Sequence, residues 1–379
     1  MNNISIIDLM IRNNSHAMII GTSGVGKTTL IKEALCKTKT TDYNIVVFDT
    51  IGTFQEQTMV HGPIPINIFD FCRDPIRILD CINETLLTKF GNVKYCLSPA
   101  MEEIFLEMYE RAQQEHSKLN FRELVKILKE EEQNTITRER KLAIQALTRR
   151  LRYFNIWMLN ETHPVIRKVF SRMIRGLSLG IDLSFLSDVQ RFAYVLMFLL
   201  ALSESRARNI IVVIDEAHLL LREETTLLGE QVRVGRNFNR LFLLVTHSPD
   251  DIPPAIRNIV RIVVRFPLSI DDKSEYLIEN PHAAVVKMLV TDSEIYRAYG
   301  KKVVTFVISP NVKELSCINI VNLKKCLSVA IKDVVDRDVK RRRELLSKCL
   351  EYIRWNGFCS EDKTMLQILQ KVWKCLDYG

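Results

Sequence analysis

Apolar positions along the chain fall into stretches of different period. Near the amino end, residues 16–20 and 45–48 are short aliphatic runs bounded by Gly- and Asp-containing turns, which predicts two buried strands. Residues 28–37 between them predict a helix. Strand, helix and strand in that order imply a parallel pair, because parallel strands need a crossover connection. Residues 71–176 carry no strand pattern. Helical spacing covers 97–114, where Ser98 can cap and Pro99 takes the first position, then 121–132 and 138–154. This stretch is expected to be a helical insertion, with charged runs such as Lys129-Glu130-Glu131-Glu132 forming solvated faces.

From residue 177 the strand texture returns. Runs at 179–183, 210–214, 241–246, 260–265 and 303–308 predict five more strands, with a helix at 189–204. The expected fold is α/β: a doubly wound, mainly parallel sheet built from residues 1–70 and 177–310. Pro310 and Asn311 mark a boundary. Beyond it, 329–355 and 364–376 predict helices, and Lys340-Arg341-Arg342-Arg343 makes 311–379 a basic helical region.

Composition adds limits. At 379 residues, with 47% hydrophobic and 26% charged positions, the chain can bury a large core. Its longest apolar run, 192–202, falls short of the roughly 20 residues a membrane span needs, so a buried helix and no membrane insertion are expected. Residues 1–12 lack the parts of a signal peptide, and the nine cysteines include no C-x-x-C pair. Reduced thiols, a cytoplasmic location and no zinc site follow as expectations. The net charge of +8 suits a polyanionic partner, but many proteins without one share it.

The chemistry begins at Gly21-Thr22-Ser23-Gly24-Val25-Gly26-Lys27-Thr28, followed by Thr29. This fits G-x-x-x-x-G-K-[ST] between a strand and a helix. Glycine lets the backbone approach a triphosphate closely. Successive amides and the helix N-terminus then face the anion. Lys27 is expected on the β- and γ-phosphates of ATP, and the Thr28 hydroxyl on Mg²⁺. Further on, Ile210-Ile211-Val212-Val213-Ile214 ends in Asp215-Glu216. A strand so apolar is buried on both faces, and its carboxyl end faces the crevice where such sheets bind ligands. Asp215 can hold Mg²⁺ there, and Glu216 can deprotonate an attacking water. The adjacent Glu points to hydrolysis rather than binding alone.

With these motifs the chain resembles the HerA/FtsK superfamily of ring-forming DNA translocases, the HerA branch most, over roughly residues 10–310. Asp49-Thr50-Ile51-Gly52-Thr53-Phe54 is similar to the family's Asp-x-x-Gly-Glu-Tyr turn, and Ile66-Asn67-Ile68-Phe69-Asp70 to its Ile-Asn-Pro-Phe-Asp. Asp215-Glu216-Ala217-His218 matches its Walker B segment. Gly235-Arg236-Asn237-Phe238, the following strand and Pro249 resemble its Gly-Arg-Lys-Phe and Gln-Arg-Pro elements. The resemblance implies a RecA-like P-loop NTPase core, an ATPase that assembles as a homo-oligomer, a hexameric ring, on double-stranded DNA. It places Arg236 as a finger reaching a neighbour's nucleotide, ahead of the competing Arg233 and Arg240. His247 stands in the place of a Gln that senses the γ-phosphate. Thr53 and Ser248 depart from the family's Glu and Arg.

Twenty residues precede Gly21, where the family usually carries a β-barrel that helps dock the NurA nuclease. A capsid or DNA-transfer partner therefore fits as well as a nuclease. Two alternatives stay open: a secretion- or pilus-type ATPase acting on protein, and a nucleotide-dependent switch with little turnover. Lys340–343 can contact DNA phosphates or form a plain solvated helix face.

Overall fold

In a computed structural model of the chain, nine strands among the described residues form one sheet. The structure describes residues 5–38, 42–115, 118–219 and 226–266, with two further strands at 284–289 and 303–308. All of these lie within a compact unit spanning Met1–Pro310. The basic run at 340–343 and the helices expected at 329–355 and 364–376 lie outside the described residues.

Seven strands are parallel. They are β1 (Ala17–Ile20), β2 (Asn44–Asp49), β3 (Val60–Gly62), β4 (Ser178–Asp182), β5 (Ile210–Ile214), β6 (Arg240–Thr246) and β7 (Ile262–Arg265). They run side by side as β3-β4-β2-β5-β6-β1-β7. Two antiparallel strands, β8 (Ala284–Leu289) and β9 (Val303–Ile308), extend the β7 edge. The expected mainly parallel α/β sheet is therefore present, and larger than expected. β3 is only three residues long, and Lys287 interrupts the apolar run of β8, so neither gives the period on which a strand is recognised.

Residues alternate between the faces of the sheet, as the strand period of two requires. Ile45 and Val47 of β2 face one layer, with α1 (Ile6–Asn13) and α2 (Lys27–Lys37). Val46 and Phe48 face the other. That second layer is thick. It holds α3 (Pro75–Phe90), α4 (Pro99–Glu115), α5 (Phe121–Asn134), α6 (Arg138–Leu151), α7 (Pro164–Phe170) and α8 (Asp188–Glu204) in one continuous core. Short helices α9 (Thr226–Gly235) and α10 (Pro254–Arg257) add Leu228, Val232 and Ile256 to it.

Helix α8 is the apolar run seen in the sequence. Every residue from Phe192 to Leu202 is buried, because α3 lies on one side of it and the sheet on the other. Each Phe, Leu, Met or Val side chain among them is worth about 1.5–3 kcal/mol relative to exposure. Its one polar group inside the run is satisfied: the Tyr194 hydroxyl donates to Ile64 O at 2.5 Å. Among the described residues no helix is long and apolar enough to cross a membrane.

Candidate functional site

The loop between β1 and α2 lies at the carboxyl edge of the sheet. It turns through left-handed backbone at Gly24 (φ 81°) and Gly26 (φ 105°), which glycine alone adopts without strain. Gly21 is needed for space instead: a Cβ there would stand 2.6 Å from Phe266 Cβ. Thr22, Ser23 and Gly24 are exposed at the tip, while Thr28 and Thr29 open α2 half-buried. Lys27 is buried and folded back over the loop. Its ammonium donates to Gly21 O at 2.6 Å and Thr22 O at 3.0 Å, and contacts His247 Nδ1 at 3.2 Å. Three donors meet three acceptors. Burial lowers the Lys27 pKa, against the opposing pull of the Glu216 and Asp215 carboxylates.

β5 delivers those carboxylates. Asp215 is 2% exposed, and Oδ1 accepts from Glu216 N at 3.0 Å. Burial, and then the neighbouring Glu216 charge, push its pKa up to about 6. Glu216 holds a left-handed φ of 54°, a conformation that costs a non-glycine residue on the order of 1–3 kcal/mol. This turn carries its carboxylate to two histidines. Glu216 Oε2 lies 2.9 Å from His247 Nε2 and 3.2 Å from His218 Nδ1. Among the described residues these three make the group of acid and histidine atoms close enough to share a cation, within 4.8 Å of one another. With the ammonium on its Nδ1 side and Glu216 on its Nε2 side, His247 lies between lysine and carboxylate, although Glu216 Oε2 takes no hydrogen bond there.

β6 supplies His247 at its carboxyl end, and Asp251 fixes the turn. Asp251 Oδ2 accepts from Thr246 Oγ1 at 2.6 Å and Ser248 N at 2.8 Å. Burial opposes its ionisation, but these hydrogen bonds and the two nearby histidines hold its pKa below the usual value. Beside β5, Asp49 ends β2. Its carboxylate accepts from the backbone amides of Ile51, Gly52, Thr53 and Phe54, and from His61 Nε2 at 3.0 Å. Burial raises the Asp49 pKa, yet the His61 and amide hydrogen bonds outweigh it and the net shift is downward. Asp49 thus builds the turn after β2 and adds negative charge near Asp215.

The structure brings Lys27, Asp215, Glu216 and His247 together and leaves Arg236 apart. Arg236 precedes β6, at the amino edge, where Asn14 Nδ2 donates to its carbonyl at 3.4 Å and Arg261 is a charged neighbour. The length of β6 alone puts it roughly 20 Å from its own loop. The rival arginines differ. Arg233 is exposed, whereas Arg240 is buried and donates to Ala207 O (3.0 Å) and Ser205 O (2.9 Å), a structural post. Two members of the site, His61 and Asp251, escaped the sequence reading. For Asp251 the signal was there: Ser248-x-x-Asp251 is a capping-box pattern. His61 carries no local signal, because only the fold brings it to Asp49.

The donor set fits a magnesium nucleotide. A nearly inaccessible carboxylate with a raised pKa is a group that a cation would ionise, and Thr28 places a hydroxyl at the start of α2 in the same loop. The glycine loop, the acid at the end of β5 and the order β7-β1-β6-β5-β2 define a RecA-like P-loop NTPase core. The chain belongs to the HerA central-domain family. The profile described as helicase HerA, central domain, matches residues 6–202, more than half of the 379 residues. Solved structures with a similar fold include plasmid coupling protein TrwB in complex with ADP and Mg²⁺, at 12% identity and TM-score 0.54, over 82% of this chain and 87% of that one. The unbound monoclinic form of the bacterial conjugative coupling protein TrwB gives 11% identity and TM-score 0.52, over 84% and 83%. VirB4 of Thermoanaerobacter pseudethanolicus is more distant in fold, at 13% identity and TM-score 0.47, over 69% and 79%. No curated protein matches the sequence.

Proposed function

We propose that the chain is an ATP-hydrolysing motor that moves double-stranded DNA through a homo-oligomeric, hexameric ring. The observation that carries the hydrolytic half is the placement of Glu216. It sits beside the buried Asp215, with His247 between it and Lys27. The DNA half is supported by membership of the HerA family, by the TrwB-like fold and by the net charge of +8. Residues 1–70 and 177–310 form the ATPase core in this reading, with 71–176 as its helical insertion and 311–379 as a basic tail.

The steps follow from the side chains. The loop amides of residues 21–28 cradle the phosphates of ATP. Lys27 leaves Gly21 O and Thr22 O and turns to the β- and γ-phosphates. Thr28 and Asp215 would hold Mg²⁺, which would supply neutralisation of phosphate charge there. His247, no longer facing Lys27, is free to donate to the γ-phosphate. Glu216 is released from His247 and takes the proton of the attacking water. Arg236 cannot reach its own loop, which agrees with the family resemblance that assigns it to the nucleotide of a neighbouring copy. In other phosphate-hydrolysing proteins such a finger is worth about 10³–10⁵ in rate.

The test is steady-state ATP hydrolysis with and without linear duplex DNA, at two salt concentrations. Stimulation by DNA that fades at high salt is expected. Equal rates with and without DNA at both salts would move the substrate from DNA to protein. Glu216→Gln should still bind ATP but turn over at least ~10²-fold more slowly. An unchanged trace of slow turnover in that variant would instead mark a nucleotide switch.

A further inference from the structure

The amino edge of the sheet, far from the glycine loop, carries a cavity of about 230 Å³. Asparagines lead three adjacent strands into it: Asn44 opens β2, Asn209 precedes β5 and Asn239 precedes β6. They hold each other and the neighbouring loop. Asn239 Nδ2 donates to Asn209 Oδ1 at 2.9 Å, and Asn44 Nδ2 to Ile174 O at 2.9 Å. The rest of the wall is basic. Arg172, Arg175 and Arg208 line it, against the single carboxylate of Asp42.

That charge is poorly balanced. Arg175 and Asp42 stand 3.7 Å apart, and both are about two-thirds exposed, a pairing worth little in water. Arg172 donates to Arg206 O through Nε (2.9 Å) and a terminal nitrogen (2.7 Å), so no carboxylate neutralises it there. Arg208 rests over the Phe238 ring at 5.8 Å. Beneath them lies buried Arg240, whose pKa is driven down to about 10 by burial first and then by Arg172 and Arg208. Left-handed backbone gathers here as well, though asparagine adopts it readily. Among the described residues five non-glycine positions have positive φ, and three of them, Arg172, Asn209 and Asn239, line this cavity. Like charges cost stability, and they are concentrated around one hole that has guanidinium donors in its wall. An oxyanion of phosphate size would relieve the repulsion and take those donors.

We propose that this cavity is a phosphate-binding site, distinct from the nucleotide loop, and that it holds a backbone phosphate of the DNA that the motor moves. The DNA part rests on the proposed function; the phosphate chemistry does not. Guanidinium forks suit a phosphodiester, and such contacts are independent of sequence.

The test uses the full chain and the double variant Arg175→Gln/Arg208→Gln, both exposed positions at the edge opposite the glycine loop. Asp42→Asn is the opposing variant. Binding of a fluorescent linear duplex is measured over a range of salt. Inorganic phosphate is titrated calorimetrically with the glycine loop saturated by a non-hydrolysable ATP analogue. The double variant should bind duplex about 10-fold more weakly, with the slope of log K against log salt reduced by about 2. Its ATPase rate without DNA and its unfolding midpoint should match wild type. Asp42→Asn should bind duplex more tightly. If the double variant loses phosphate binding but keeps wild-type affinity for duplex, the ligand is free phosphate and the DNA assignment is overturned. If neither changes, the site itself is overturned. A wild-type chain that binds no duplex refutes the motor reading instead, and the phosphate titration still decides the cavity.

Discussion

His16 opens β1 with no exposed surface, and its Nδ1 accepts from Phe242 N at 3.1 Å. Burial, with help from the charges of Arg236 and Arg261, lowers its pKa from 6.5 to about 4. The ring is therefore neutral when folded and takes a proton when unfolded. The stability it contributes is present above pH 6.5 and is lost as the pH falls toward 4, about 3 kcal/mol in all. Asp215 has the opposite sign. Its pKa rises from 3.8 to about 6, so the unliganded fold is penalised as the pH rises through that window. A cation on the carboxylate removes the penalty, and at pH 5 that cation must first displace a proton. Thermal unfolding should show Mg²⁺ with ATP analogue raising Tm more at pH 7 than at pH 5. In Asp215→Asn the difference should shrink. Replacing His16 by Asn should flatten the loss of stability between pH 6.5 and 4.

Much of the architecture was legible at the level of elements. The glycine loop, the acid-tipped β5 and the apolar α8 each follow from a local pattern. β5 was read to the residue, and β1 and β2 to within one. What the sequence hid was pairing between distant segments. β3 and β8 exist because β4, β7 and β9 offer them partners, and nothing in three residues or in a run broken by Lys287 announces that. Likewise Glu216 and His247 were each visible, but their 2.9 Å contact depends on β5 and β6 lying side by side. Elements also set the tolerance of the loop. Gly21→Ala would drive a methyl group against Phe266 Cβ at 2.6 Å and Val25 Cγ2 at 2.9 Å. The loop must shift, and nucleotide affinity by titration should fall about 10-fold, with little change in the fold. Deep in the thick layer the result differs. Phe198, packed edge-on against Phe48 at 5.1 Å, should cost about 3–5 kcal/mol on replacement by Ala, read from denaturant unfolding.

For the whole molecule, the separation of Arg236 from Lys27 and Glu216 makes a strong test of assembly. Arg236→Ala and Glu216→Gln chains should each be inactive alone. Mixed, they should regain activity, because a Glu216→Gln copy lends its arginine to a neighbour whose carboxylate is intact. No recovery on mixing, with both variants still assembling, would rule out an arginine acting between copies. Finally, the sheet has a heavy side and a light side. Among the described residues, helices α3 to α8 share one core on the first, whereas α1 and α2 cover the second. Lys27 and Thr28 ride on the light side. In the proposed motor, a pull of ATP on α2 is expected to move the two-helix cover and β1 against the thick layer. Amide hydrogen exchange should register that division: α1 and α2 should exchange well before α8, and nucleotide should slow the first two while leaving α8 unchanged.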